Sequence, residues 1–197
     1  MRKLFIIAAF VPFFCKAQIT NNSPDTRLDS FYTPVSNSEM RIIYLSAKAK
    51  NDGYALTSLA KIENENQFLP NVQGGDILQD AYTIGITNQD PALLYLIATY
   101  ENTANLMNQR AGDILFEAYT SATVKRNAFL LFKIASYENI ENIMDAKAGD
   151  ILFEAYRSAL FNKDVSTLYK IAYYEQQEDI MLITTEEIKK EIAKIYL

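Results

Sequence analysis

The chain has 197 residues, with 24 acidic against 19 basic side chains, a formal net charge of −5, one cysteine and no histidine. That inventory excludes histidine-based acid/base catalysis and zinc sites built from Cys and His. Its acidity argues against a nucleic-acid binder, which needs a basic stripe to track phosphates.

The amino terminus carries the layout of a secretory signal. Arg2 and Lys3 precede an apolar run over residues 4–14, and Cys15 and Ala17 are the small residues ahead of a cleavage point before Gln18. The run is too short and wrongly flanked for a membrane span, so residues 1–17 read as a signal peptide and the protein as exported, periplasmic or secreted. Cleavage would remove the only cysteine together with Arg2, Lys3 and Lys16, leaving 16 basic against 24 acidic residues and a net charge of −8. An exported chain without cysteine has no disulfide framework and no thiolate nucleophile, so its stability must come from packing. Residues 18–33, with Asn21, Asn22, Ser23 and Pro24, read as a disordered polar leader.

From residue 34 onward the chain repeats. Ala-Gly-Asp-Ile-Leu-Phe-Glu-Ala-Tyr occurs at 111–119 and again at 148–156, 37 positions apart, and 74–82 is a weaker copy 37 positions upstream. A fixed period of this size marks stacked supersecondary units. Two series of capping residues keep the same period: Asn71, Asn108 and Asp145, and Asp52, Asp90, Asn127 and Asp164, the latter with one extra residue in its first interval. Their side-chain oxygens suit the orphan N–H groups at helix starts, and Pro91 suits a first helical position.

Each unit therefore reads as helix A, turn, helix B, turn, with helices of roughly 12–15 residues. Helix A places Ile77, Leu78, Ala81, Tyr82 and Ile84 on one half of its wheel and Asp76, Asp80 and Thr83 on the other. Helix B repeats over 94–101, 131–138 and 168–175, with an earlier cousin at 56–63, and the first helix A falls near residues 34–48. The units are 34–70, 71–107, 108–144 and 145–181. A terminal helix over 184–197 opens on a capping box at Thr184 and Glu187 and bears a stripe of Ile188, Ile192 and Ile195 that suits a lid. The expected fold is all-α: a right-handed α-solenoid of about four helix–turn–helix units of ~37 residues with a C-terminal capping helix.

Alternating helices joined by short turns resemble the α-solenoid superclass of tetratricopeptide-like and HEAT-like repeats over residues 34–197. The likeness is architectural: the tryptophan of the tetratricopeptide pattern is absent, and no functional residue is carried over. What the resemblance implies is a protein-interaction surface lined by the A helices.

Three features bear on function. The first is an acidic ladder of i,i+4 pairs, Asp76 with Asp80, Asp113 with Glu117, and Asp150 with Glu154. On A helices ~10 Å apart these make a two-column patch, which reads as a solvated face favoured by the helix dipole, as a surface steering a basic protein or peptide, or as a calcium site. No EF-hand spacing supports the last, and no metal or cofactor is expected. Phe116 and Phe153 fall at the border of the apolar and polar faces, where they suit contact anchors or equally burial under a neighbouring hairpin, and Arg157 is a further anchor.

The second feature is Glu63, Glu101, Glu138 and Glu175, which fall towards the apolar side of helix B. They must find hydrogen bonds, and the start of the next helix A or a tyrosine hydroxyl is the expected source. The third is Gly75, Gly112 and Gly149, which read as points of close backbone approach rather than anion cradles, and the tyrosines of both helices read as core with hydroxyls reaching a partner or the edge, ahead of a ligand-stacking platform.

The expected function is a non-enzymatic scaffold that docks a protein or peptide on its acidic A-helix face. The alternatives are a structural subunit of a secretion or envelope assembly, and a carboxylate-pair hydrolase.

Overall fold

The computed structural model describes residues 36–196, so the expected signal peptide (1–17) and the expected polar leader (18–33) lie outside the described residues. Within that range the chain is all helical. The A helices are α1 (Asn37–Ala49), α3 (Gly74–Thr87), α5 (Ala111–Val124), α7 (Ala148–Asn162) and α9 (Thr185–Ile195). The B helices are α2 (Gly53–Asn66), α4 (Pro91–Ala104), α6 (Ala128–Glu141) and α8 (Val165–Glu178). Consecutive helices pack in adjacent pairs as an all-α solenoid, and each B helix lies closest to the A helix that follows it.

The B helices start where the sequence places them. Asp52, Asp90, Asn127 and Asp164 are their N-caps, and each side chain accepts a backbone N–H two or three residues on, at 3.0–3.2 Å. The residue before each cap, Asn51, Gln89, Arg126 or Lys163, takes a left-handed conformation with φ of 48–53° and reverses the chain. The A helices differ from expectation. Their caps are Gln73, Arg110 and Lys147, two residues beyond Asn71, Asn108 and Asp145, which sit exposed in the preceding loops. The loop itself is held in place, so the helix cannot begin earlier.

What holds it is the glutamate series. Glu63, Glu101, Glu138 and Glu175 are 2–3% exposed, and each accepts two consecutive main-chain N–H groups from the loop that follows its own helix. The donors are Phe68 and Leu69 at 3.0 and 2.9 Å, Leu106 and Met107 at 3.0 and 2.9 Å, Ile143 and Met144 at 3.2 and 3.1 Å, and Ile180 and Met181 at 3.3 and 3.0 Å. The clamp predicted from sequence is present, but its donors are loop amides rather than the next helix or a tyrosine. Burial pushes the Glu138 and Glu175 carboxyls up against the lowering effect of those N–H donors.

The same loop residues are gripped from the other side. A Cβ on Gly75 would lie 2.5 Å from the carbonyl oxygen of Leu106, and Cβ atoms on Gly112 and Gly149 would meet the carbonyls of Ile143 and Ile180 closer still. The repeated glycines thus seat a loop carbonyl against helix A, and none has a positive φ. Around these pins runs one core in which Ile77, Ile114, Ile151 and Ile188 are fully buried, as are Leu131, Leu168, Ile97, Ile134 and Ile171. Ile188 and Ile192 turn the stripe of α9 into that core, beside α8.

Two substitutions test the pin. Glu138→Leu strands two buried N–H groups, at about 1–3 kcal/mol each, whereas Glu138→Gln keeps one acceptor and sets an NH2 against the other donor. Urea denaturation should rank stability wild type above Gln above Leu, and a Leu variant as stable as wild type would exclude the clamp. Gly112→Ala forces a backbone carbonyl to move and should destabilise by roughly 1–3 kcal/mol in the same assay.

Candidate functional site

The A-helix carboxylates form two columns, and each column has its own local cause. The first holds Glu39, Asp76, Asp113, Asp150 and Glu187, spaced at 37 residues, each at the third position of its helix. A carboxylate there can reach back to the N-cap N–H and also gains from the helix dipole. Glu39 accepts from Ser36 N at 2.8 Å, Asp76 from Gln73 N at 2.9 Å and Glu187 from Thr184 N at 2.9 Å. Those N–H groups hold the exposed Glu39 and Glu187 carboxyls below the usual range. Asp113 instead meets Arg110 at 3.4 Å, and Asp150 is exposed.

The second column is Asp80, Glu117, Glu154 and Glu191, and each faces a tyrosine on the preceding A helix. Tyr44 donates its hydroxyl to Asp80 at 2.8 Å. Tyr82 sits in the field of Glu117 and Asp113, Tyr119 in that of Glu154 and Asp150, and Tyr156 in that of Glu191 and Glu187. The ladder therefore runs from α1 through α9, two rungs longer than the three pairs read from sequence. The solvated-face expectation fails at two positions. Asp80 is only partly exposed and also pairs with Lys48 at 2.9 Å, and Glu154 is half-buried and pairs with Arg157 at 3.0 Å.

Glu117 is exposed, and among the described residues it makes no hydrogen bond or ion pair. It borders a hollow of about 270 Å³ among α3, α4 and α5, walled by Ile86, Leu94, Thr120 and Val124 with Gln89 and Ser121. Beside it Phe116 is 48% exposed and, one unit on, Phe153 is 38% exposed. Their rings lie 6.0 and 6.2 Å from those of Tyr119 and Tyr156. The structure thus sets Phe116, Glu117, Asp150 and Phe153 on the accessible part of adjacent A helices, whereas Asp80, Glu154 and Arg157 are engaged within the chain.

The B-helix tyrosines form a second ladder, in which their hydroxyls find partners on the neighbouring B helix. Asn102 donates to the Tyr137 hydroxyl at 3.0 Å and Asn139 to that of Tyr174 at 3.1 Å, each amide also reaching Glu141 or Glu178. Tyr95 meets Tyr137, and Phe132 meets Tyr174, edge to face at 6.1 and 5.7 Å. Lys133 lies over Tyr95 at 5.1 Å and Lys170 over Phe129 at 4.2 Å. The signal was in the sequence as Asn102 and Asn139, one residue after Glu101 and Glu138 and 37 apart.

Among the described residues no three His, Cys, Asp or Glu side chains converge to hold a metal ion, and no helix is long and apolar enough to cross a membrane. Comparison with protein-family models, curated proteins and solved structures gives no match.

The tyrosines give the fold an alkaline limit. Burial first, then neighbouring carboxylates, pushes Tyr44, Tyr119 and Tyr156 up, and burial with Asp90 beside it pushes Tyr54 up to about 12. A group whose folded pKa is raised adds stability that is intact below the unfolded value and is lost as pH climbs through the folded one. Melting temperature should therefore hold up to pH ~10 and fall steeply above it. Tyr119→Phe should blunt that fall, and an alkaline profile identical to wild type would refute the assignment.

Proposed function

We propose that this protein is an exported, non-enzymatic helical-repeat scaffold that docks a basic protein or peptide segment on its A-helix face. The observation that carries the reading is Glu117, an exposed carboxylate without a hydrogen bond or ion pair among the described residues, at the rim of an apolar hollow with Phe116 exposed next to it. A lysine or arginine suits that combination, because its stem covers apolar surface while its charged head stays at the rim. Phe153 and Asp150 offer a second contact of the same kind one unit on. Acids capping the helices and facing the tyrosines give the whole face a negative field that speeds encounter with a basic partner. The signal-like terminus supports export to the periplasm or beyond.

An assembly role has one observation in its favour. Helix α1 leaves Ile42 and Leu45 67% and 51% exposed at the end of the stack. A concentration-dependent mass in size-exclusion chromatography that Ile42→Glu abolishes would favour that reading.

The docking reading is tested by capture from the exported fraction with wild type, Phe116→Ala/Phe153→Ala and Glu117→Lys. Loss of anchor residues at a contact centre costs about 2 kcal/mol or more, roughly a thirtyfold weakening. Charge reversal should weaken capture most at low salt. Equal capture of every partner by all three proteins would overturn the proposal.

A further inference from the structure

The period breaks once in the described residues, and a cavity opens at the break. Loops from a B helix to the next A helix have six residues at 105–110, 142–147 and 179–184, but seven at 67–73. In every other turn the left-handed residues recur in register: one before each B-helix cap, and one at each B-helix C-terminus. Asn71, with φ of 70°, is the single addition to that series. The extra residue seen as a lengthened interval in the sequence thus sits here. The first unit also carries Ser38 where Gly75, Gly112 and Gly149 stand in the later ones, so its glycine seat is missing too.

The cavity at this loop has a volume of about 810 Å³, within the range of small-ligand sites. Four carboxamides line it, Asn64, Gln67, Asn71 and Gln73 from α2 and the irregular loop, together with Leu69, Val72, Leu106 and the start of α3. Asp76 stands at its edge with one oxygen on Gln73 N, and the oxygens of Glu63 are taken by Phe68 and Leu69. Of the described residues that line it, none is cationic and none aromatic. An anion would meet two carboxylates and no counter-charge, and a ring face would find no platform on which to stack.

Four carboxamides, each offering a donor and an acceptor, match the alternating N–H and C=O groups of an extended main chain. We infer that this cavity is a peptide subsite: it binds an extended segment through its main-chain amides and receives a lysine or free amino terminus at Asp76. The inference rests on the docking reading and deepens it, since Asp76 belongs both to the cavity and to the acidic column.

The test uses the full chain without its signal, labelled for nitrogen–proton correlation spectra, whose side-chain NH2 resonances report Asn64, Gln67, Asn71 and Gln73 directly. The probes are the peptide Gly-Lys-Gly-Lys-Gly-amide and, in a separate arm, maltotetraose. Saturable shifts of those NH2 signals with the peptide and not with the saccharide are expected. Deleting Asn71 restores the six-residue loop and should abolish them. Asn71→Gly, which touches only an exposed side chain and tolerates the positive φ, should weaken binding about threefold without altering the fold.

Shifts with the saccharide alone, shifts with neither probe, or unchanged shifts after deletion of Asn71 would each overturn the subsite. Partner capture separates this failure from failure of the docking reading. If Glu117→Lys loses the partner while the Asn71 deletion keeps it, docking on the A face stands and the subsite falls.

Discussion

A buried carboxylate bound to two successive loop amides, with the carbonyl of the first of those residues seated on a glycine, fixes how one unit meets the next. Glu101 holds Leu106 and Met107, and Leu106 rests on Gly75; Glu138, Ile143 and Gly112 repeat the arrangement. Three elements are joined at one loop residue: the B helix that carries the glutamate, the loop, and the A helix of the same unit that carries the glycine. An ion of this kind is costly to bury, and only full satisfaction of its oxygens makes it tolerable. That is why the clamp also sets direction. A loop one residue shorter or longer cannot present both amides and the carbonyl at once without changing shape, which is what happens at Asn71.

The acidic columns follow from the same stacking. Once loop and helix start are fixed, the third residue of helix A faces its own N-cap, and an acid there answers an orphan N–H and the helix dipole together. One turn later the next acid faces the tyrosine of the preceding A helix, as Tyr44 and Asp80 show. Six carboxylates that look like one patch in the sequence are thus two structural columns with different partners, continued by Glu39, Glu187 and Glu191. Their field towards solvent is a by-product of helix starts and tyrosine contacts. Glu117 faces Tyr82 in the same way, but among the described residues it makes no hydrogen bond or ion pair, so its carboxylate is the one of its column open to solvent.

How much of this was legible in the sequence depends on how far each signal reaches along the chain. The B-helix caps were readable because an Asn or Asp cap acts within three residues, as at Asp90 and Asn127. The caps of the A helices were misplaced at Asn71, Asn108 and Asp145, because the loop ahead of them is governed by a glutamate several residues upstream rather than by its own polar residues. The glutamates themselves stood out as acids on an apolar face, yet nothing local could say that loop amides and not tyrosines would satisfy them. Sequence pattern likewise gave the period of the terminal helix no weight. Its Glu187 and Glu191 continue the A-helix register, masked there by the change from Asp to Glu and by the loss of the glycine.

A repeat protein separates structural from functional demand in a way that a single globule does not. Residues that hold one unit to the next must recur, since every junction has the same geometry, and the clamp glutamates do so in all four junctions. Residues that meet a partner need not, because a ligand touches the stack at a particular place. By that criterion Phe116 and Phe153, which replace Gln79 and Ile42 at the same register, are informative, and so is the single residue inserted near Asn71. Both departures cost the stack something: exposed aromatic surface in one case, a non-glycine residue at φ of 70° in the other. The two phenylalanines recover part of theirs against Tyr119 and Tyr156, at 6.0 and 6.2 Å, yet both rings stay well exposed. Where regular neighbours show that a cheaper arrangement of the same junction exists, a local expense of this kind points outward, to something the surface meets.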